Sequence, residues 1–215
     1  MGFSQYDFKW TGREGEQDLT AGSEGQTRLG KQGDLAVNIA GRWYELARKG
    51  RIFSATTAVA GVAPGTSIGT TGAAALYNPS GASTDMVVIK ASMSYVSGTL
   101  GIGVVDWIGH LDPSQAAITG TAMVKVNGNL RGGDPTGRAF TTATVPSGGS
   151  VFRLFANLPP MLATSVLTPW RLDDPVDGAI ILAPGTGVSL QGTAAGGSTP
   201  LVRFNFVWAE VPTSF

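Results

Sequence analysis

The chain has 215 residues, of which 42% are hydrophobic and only 14% are charged, and its formal net charge at pH 7 is zero. A zero net charge provides no bulk electrostatic attraction to nucleic acid or to a membrane surface, so neither is expected as a partner. The absence of cysteine excludes disulfides, cysteine nucleophiles and thiolate metal sites. The 31 glycines are about twice the usual share of roughly 7%, which predicts many tight turns rather than long helices.

Residues 1–51 differ from the rest of the chain because they hold half of its charged residues. Segment 11–34 is polar and rich in glycine, has no apolar periodicity, and would be disordered in isolation. Two interpretations stay open: a floppy terminus, or an arm that becomes ordered on a neighbouring subunit. Aromatic side chains in the first ten residues favour the arm, because they are suited to filling pockets on a partner. They are Phe3, Tyr6, Phe8 and Trp10.

One short helix is predicted between Arg42 and Lys49, where good helix formers are followed by Gly50 as the residue that ends the helix. Arg48 and Lys49 suit the negative end of the helix dipole. Upstream, the first residues lack the basic region and apolar run of a signal peptide. The division expected is an N-terminal arm, 1–51, followed by a β-sandwich domain, 52–215.

The longest strand-like stretch runs from Asp85 to Gly109 and consists of two runs of β-branched and aromatic residues around Ser97-Gly98-Thr99. This pattern predicts two long strands joined by a tight turn, that is, a β-hairpin.

From Ile52 onward the whole pattern is that of short strands separated by turn clusters rich in Gly, Pro and Asn. The spacing predicts an all-β fold, an antiparallel β-sandwich of jelly-roll type. In the last strand, alternation predicts that one set of side chains faces the core. That set is Val202, Phe204, Phe206 and Trp208. The predicted strands are Ile52–Val59, Ala73–Tyr77, Met86–Ser97, Leu100–Leu111, Met123–Val126, Ala139–Val145, Val151–Leu158, Pro169–Leu172, Ala179–Leu182, Gly187–Gly192 and Leu201–Val211.

Two features of the sequence resemble catalytic chemistry. Gly65-Thr66-Ser67-Ile68-Gly69 matches the G-x-S-x-G pattern of esterases, but the strand before it and the helix after it that the pattern requires are not predicted. His110 is the only histidine, which is too few for a metal site, and a turn or interface position is expected for it. No catalytic residue, metal or cofactor is therefore expected.

Three further segments suggest binding sites. In residues 171–178, Asp173, Asp174 and Asp177 suggest a calcium loop, but Pro175 interrupts the ligand spacing, and a turn with Gly178 at positive φ is preferred. Residues 98–103 are rich in glycine but open no helix, so they are expected to permit close approach of strands or subunits rather than to bind phosphate. Arg131 and Arg138 flank a loop and are expected to serve solubility, with an interface pair as the alternative.

Several segments, in order, resemble a group of tailed-bacteriophage virion proteins. They are GRWYELARKGRIFSATT (41–57), LYNPSG (76–81), VVIKASMSYVSGTLGIG (87–103), DDPVDGAIILAPGTGVSLQG (173–192) and WAEVP (208–212). The resemblance covers residues 35–212 and its motifs are structural. It implies a jelly-roll decoration (cement) protein on the outside of the capsid, often a trimer, and it brings no catalytic residues.

The resulting expectation is a non-enzymatic structural protein of the virion, assembled in the host cytoplasm, with the major capsid protein and further copies of itself, as a homotrimer, for partners. The candidate contacts with the capsid or with other subunits are Phe3, Tyr6, Phe8, Trp10, Trp43, Tyr44 and Arg48. A tail or fibre-associated subunit is one alternative. A carbohydrate-binding jelly-roll module is another, with Trp43, Trp107 or Trp170 as sugar platforms. An esterase built on Ser67 is the third.

Overall fold

The structure is a computed structural model that describes residues 42–110, 116–130, 132–160, 170–193 and 196–213. Contacts group Glu45–Ser214 into one compact unit. The predicted arm falls almost entirely outside the described residues, so the division into 1–51 and 52–215 stays a prediction.

The described residues form one short helix and eleven strands. This composition and the sheets described below confirm the predicted all-β sandwich. The elements are α1 (Tyr44–Arg48), β1 (Ile52–Thr56), β2 (Thr71–Tyr77), β3 (Thr84–Ser97), β4 (Gly103–His110), β5 (Thr119–Ala122), β6 (Val124–Asn127), β7 (Arg138–Thr144), β8 (Ser150–Leu158), β9 (Arg171–Leu182), β10 (Gly187–Thr193) and β11 (Leu201–Pro212).

Two antiparallel sheets form the sandwich. The five-stranded sheet has the order β6-β1-β11-β3-β9 and the six-stranded sheet the order β5-β7-β2-β10-β4-β8. Eight strands pair in a nested way, because β1 pairs with β11, β2 with β10, β3 with β9 and β4 with β8. Such nesting is the jelly-roll arrangement, in which one long antiparallel ribbon is rolled into two sheets. Strands β5, β6 and β7 are inserted between β4 and β8 and extend both sheets beyond β1 and β2.

The predicted hairpin from Asp85 to Gly109 is wrong. Strands β3 and β4 lie in different sheets, and the segment between Ser97 and Gly103 crosses from one sheet to the other. Because β3 already pairs with β11 on one edge and β9 on the other, it has no free edge for β4. A short glycine-rich connection is compatible with a hairpin and with a crossing between sheets, and only the long-range pairing distinguishes them.

The crossing segment explains its glycines. The Thr99 amide donates a 3.0 Å hydrogen bond to the Ser198 carbonyl, so the connection lies directly against residues 196–199. A Cβ at Gly98 would lie 2.0 Å from the Thr199 carbonyl oxygen, and Gly98 has φ +87°. The expectation that glycine permits a close backbone approach here is therefore confirmed within the chain.

The core lies between the sheets and is rich in aromatic residues. The predicted inward set of the last strand is fully buried, which confirms the alternation read from the sequence. Trp107 of the six-stranded sheet meets Phe206 of the five-stranded sheet with ring centroids 5.9 Å apart, and Phe155 meets Phe204 at 6.5 Å. Burial of each large apolar side chain stabilises the fold by roughly 1.5–3 kcal/mol.

The helix ends as its sequence predicts. The Gly50 amide donates to the Ala47 carbonyl at 3.0 Å, the Arg51 amide donates to the Leu46 carbonyl at 2.8 Å, and Gly50 has φ +68°. These two bonds form a Schellman motif, which satisfies carbonyls at the end of the helix. The observed helix, Tyr44–Arg48, is shorter than the predicted one by three residues, two at its start and one at its end.

The predicted turn at residues 173–178 is also wrong, because this segment lies inside β9 and joins the two short strands predicted on either side. Asp177 and Gly178 both have positive φ, of 50° and 86°. The pairing with β3 shifts here, since Lys90 faces Pro175 while Val88 faces Ile180. Gly178 therefore has the predicted conformation, but in a β-bulge rather than a turn. Strand β5 was not predicted.

Candidate functional site

The four aromatic residues predicted as anchors of the arm lie outside the described residues: Phe3, Tyr6, Phe8 and Trp10. Their assignment as contacts stays a prediction.

The other three candidate contacts lie at or beside α1. Tyr44 is half exposed. The Arg42 guanidinium lies 4.9 Å from the centroid of the Trp43 ring, a cation–π distance. Arg48 Nε lies 3.4 Å from Glu45 Oε2, and such exposed pairs add little to stability. Their role as contacts with a partner stays a prediction.

The G-x-S-x-G segment, Gly65–Gly69, is an exposed loop between β1 and β2. A strand follows it rather than a helix, so the strained elbow that exposes a nucleophilic serine is not formed at Ser67. The loop is held by Gln191, whose Oε1 accepts from the Gly69 amide at 2.8 Å and whose Nε2 donates to the Gly69 carbonyl at 3.3 Å.

Gln191 belongs to a buried row of polar side chains on the face of the six-stranded sheet opposite the core. Its Nε2 also donates to Ser189 Oγ at 3.0 Å, and Ser189 Oγ lies 3.0 Å from His110 Nε2. His110 ends β4 and is only 4% exposed, so the predicted turn position is wrong. The alternative, an interface position, stays a prediction. The serine–histidine distance suits a nucleophile and base, but Ser189 has no exposed surface at which a substrate could arrive.

Burial shifts the pKa of two side chains in this region. Burial lowers the pKa of His110, because the charged imidazolium is disfavoured away from water. Its Nδ1 has no hydrogen-bond partner among the described residues. Asp106, on the same strand, is 5% exposed, and burial raises its pKa. Asp106 pairs in register with Gln191 of β10 on one side and Leu154 of β8 on the other.

Asp173, in the acidic segment of β9, forms ion pairs with two basic side chains. Asp173 Oδ1 lies 3.1 Å from Lys90 Nζ and 2.9 Å from Arg171 Nε. Burial alone would raise the Asp173 pKa, but these hydrogen bonds and charges lower it. The described residues contain no group of three side chains suited to holding a metal ion.

Asp174 points the other way, into the sandwich. It accepts a 2.8 Å hydrogen bond from Trp107 Nε1 and forms an ion pair with Arg153 of β8. Trp107 is fully buried, so the expectation that it is a possible sugar platform is wrong. Trp170 is half buried and lies beside Tyr95, with ring centroids 6.5 Å apart.

The loop predicted to be basic is organised by a carboxylate that the sequence analysis missed. Arg138 is exposed at the start of β7, and Arg131 lies outside the described residues. Glu210 is 7% exposed, and it accepts the Gly137 amide at 2.7 Å and the Thr136 amide at 3.1 Å. Glu210 continues the inward alternation of Phe206 and Trp208. A charged residue on the buried side of a strand needs buried partners, and this position was the signal in the sequence that could have identified it.

An apolar surface lies at one edge of the sandwich. Strand β8 ends the six-stranded sheet and, in the described part of the chain, pairs only with β4. We call its exposed apolar side chains the β8 patch: Val151 at 49%, Phe152 at 50% and Leu154 at 66% exposed. The only charged residue of the strand, Arg153, is bound to Asp174. The register with β4 shifts twice, so contacts at this edge are made by side chains more readily than by regular strand addition.

One of the two edge strands of the other sheet, β9, is protected in the usual manner. It carries Pro175 and exposed acidic residues such as Asp173, and it contains a bulge. Prolines, charges and bulges on an edge discourage association with other chains. Of these two edges, the β8 patch is the more suitable surface for protein contacts.

A polar groove lies on the outer face of the five-stranded sheet, opposite the core. Apart from the core residues beneath it, the groove is lined by hydroxyl, amide and guanidinium groups. These lining residues are Thr56, Ser92, Ser94, Arg171, Arg203 and Asn205.

Comparisons of the chain with protein-family models, with curated proteins and with solved structures find no match. The described residues contain no helix with the length and apolar character needed to cross a membrane.

Proposed function

We propose that this chain is a structural virion protein that decorates and stabilises a tailed-phage capsid as a homotrimer. The observation that carries the proposal is the β8 patch, because an edge strand with three exposed apolar side chains and its one charge neutralised is costly to leave in water. Burial against another copy or the shell removes that cost. The low charged fraction of 14% agrees with a surface that is partly covered in an assembly.

The jelly-roll topology supports the proposal at the level of fold only, because this fold serves capsid proteins and lectin domains alike. The resemblance to tailed-phage virion proteins selects the first class. In this proposal the partners are the major capsid protein and further copies of the chain, the location is the capsid surface, and the role is not enzymatic.

Two measurements test the proposal. Light scattering on the recombinant chain, whose monomer mass is 22.1 kDa, is expected to give the mass of a trimer. Cosedimentation with expanded capsids of the phage that encodes the chain is expected to deplete it from solution. A chain that is monomeric and does not sediment with capsids would overturn the proposal.

Variants distinguish the β8 patch from other apolar surfaces. Phe152→Asp combined with Leu154→Asp introduces charge into the patch and is expected to reduce self-association or capsid binding at least tenfold. Val124→Asp is the matched control, since Val124 is 78% exposed on β6, an edge strand of the five-stranded sheet. Equal effects of the two changes would contradict the assignment of the patch.

The alternatives predict different results. A tail or fibre-associated subunit would appear away from the shell in an image of the particle, with a different copy number. A carbohydrate-binding module would bind on a glycan array and lose binding on Trp43→Ala or Trp170→Ala, the two proposed platforms that are not fully buried.

A further inference from the structure

The groove on the outer face of the five-stranded sheet is built from neighbouring strands in register. Arg203 of β11 pairs with Ser94 of β3, which pairs with Arg171 of β9. Side chains of residues paired in register share a face and lie close together. The row therefore places one guanidinium group on each side of the Ser94 hydroxyl.

The next row along the strands is polar and ordered. Asn205 pairs with Ser92 on one side and with Thr56 on the other. Asn205 Nδ2 donates to Thr56 Oγ1 at 2.8 Å and to Ser54 Oγ at 3.0 Å. These bonds fix the floor of the groove, so its polar groups are held in place before any ligand arrives.

The charges of the groove do not balance. Asp173 is the acidic residue next to it, and it is shared between Lys90 and Arg171. Arg203 forms no ion pair among the described residues, and its Nε is buried without a hydrogen-bond partner there. Among the described residues, the lining of the groove contains no carboxylate.

An unsatisfied buried donor on a cation is unfavourable, because the group has lost its water without gaining a partner. The planar guanidinium of arginine presents several donors that match the oxygens of a carboxylate or phosphate. Hydroxyls at Ser92 and Ser94 add donors that do not repel an anion.

We propose that this groove binds the oxyanion group of a small ligand, with Arg203 as the central contact and Arg171 and Ser94 beside it. The site lies on the outer face of the sheet that does not contain β8, and the proposal does not depend on the capsid role.

The test is a titration of the isotopically labelled full chain at constant ionic strength, followed through the side-chain Nε–H resonances of its arginines. One arm uses inorganic phosphate and the other uses glucuronate, so that a tetrahedral oxyanion is distinguished from the carboxylate of an acidic sugar. Saturable shifts of the Arg203 resonance are expected in at least one arm.

Arg203→Met keeps the apolar stem and removes the donors, and it is expected to weaken binding at least tenfold. Arg138→Met is the control, since Arg138 is exposed on β7 of the other sheet. It is expected to leave binding unchanged. If Arg203→Met does not fold, as judged by its thermal unfolding, Arg171→Met with the Arg203 resonance as readout replaces it and is expected to weaken binding severalfold. Shifts that do not saturate in either arm, or equal binding by the wild-type chain and the arginine variant, would overturn the proposal.

Discussion

The indole nitrogen of Trp107 donates a 2.8 Å hydrogen bond to Oδ2 of Asp174, and this bond joins the two sheets of the sandwich. Trp107 lies on β4 of the six-stranded sheet and Asp174 on β9 of the five-stranded sheet. The other carboxylate oxygen binds Arg153 of β8. One carboxylate therefore satisfies a buried indole and neutralises the charge next to the β8 patch.

Asp174→Ala is expected to destabilise the fold by about 3 kcal/mol, because it leaves the Arg153 charge and the Trp107 donor unpaired. Asp173→Ala is the control, since the Asp173 carboxylate is 41% exposed and its ion pairs contribute less than about 1 kcal/mol. Urea unfolding at a fixed protein concentration measures both. Similar losses of stability for the two variants would show that the link between the sheets through Asp174 contributes no more than an exposed ion pair.

Stability is expected to fall as the pH is lowered from His110's ordinary pKa of 6.5 toward its lower pKa in the folded chain. The native state holds the imidazole neutral while the unfolded chain binds a proton, so the stabilising contribution is complete above 6.5 and decreases below it. The slope is at most about 1.4 kcal/mol per pH unit for one proton.

His110→Gln tests this assignment, because His110 is the only histidine of the chain. The variant keeps a polar group near Ser189 and removes the titration, so the decrease below pH 6.5 is expected to become smaller. Thermal unfolding across this pH range measures it. An unchanged pH profile would mean that other groups cause the decrease.

Asp106→Asn is expected to stabilise the fold by about 1 kcal/mol at pH 7, because it removes a buried charge. Burial raises the pKa of Asp106 from 3.8, so the folded chain binds a proton at Asp106 more readily than the unfolded chain does. That preference favours folding below pH 3.8 and is lost as the pH rises through the folded pKa. The gain from asparagine should therefore disappear in acid.

Asp134→Asn, at an exposed loop residue, is the control for Asp106→Asn and should change stability by less than about 0.5 kcal/mol. Unfolding at pH 7 and at a pH below 3.8 measures both variants. A loss of stability on Asp106→Asn at pH 7 would contradict the expectation.

Gly98→Ala is expected to destabilise the fold by more than Gly148→Ala. Both glycines have positive φ, of 87° and 85°, which costs an alanine roughly 1 kcal/mol. A Cβ at Gly98 also meets the Thr199 carbonyl at 2.0 Å, whereas no atom of the described residues lies within 4 Å of a Cβ at Gly148. The difference between the two losses, measured by thermal unfolding, isolates the cost of separating the two connections. Equal losses would show that the backbone at residues 196–199 moves aside freely.

Much of the fold is predictable from local pattern. Alternation in β11 identifies Phe204 and Phe206 as core residues, because successive side chains of a strand face opposite sides of the sheet. Gly50 ends the helix, because glycine accepts the positive φ that the Schellman motif needs. The all-β class follows from short strands separated by turns.

The surfaces are less predictable. Nothing local distinguishes Val151 of β8 from an apolar residue of a central strand, because exposure depends on which strands pair. The surroundings of Arg203 are equally hard to predict, because they are formed by three strands, β11, β3 and β9, that are distant from one another in the sequence. Trp107 appeared suitable as an exposed platform, yet the opposite sheet covers it and supplies its acceptor.

Local pattern predicted most of the strands, the short helix and the inward face of the last strand, because these depend on the side-chain period and on the backbone preferences of nearby residues. It missed β5 and divided β9 into two strands. Long-range contacts separate β3 and β4 into two sheets and place Asp174 of one sheet against Trp107 of the other. In the described part of the chain they also leave β8 paired with β4 alone and Arg203 Nε buried without a hydrogen-bond partner. Strand pairing and burial are set by contacts between residues far apart in the chain, which no local pattern encodes.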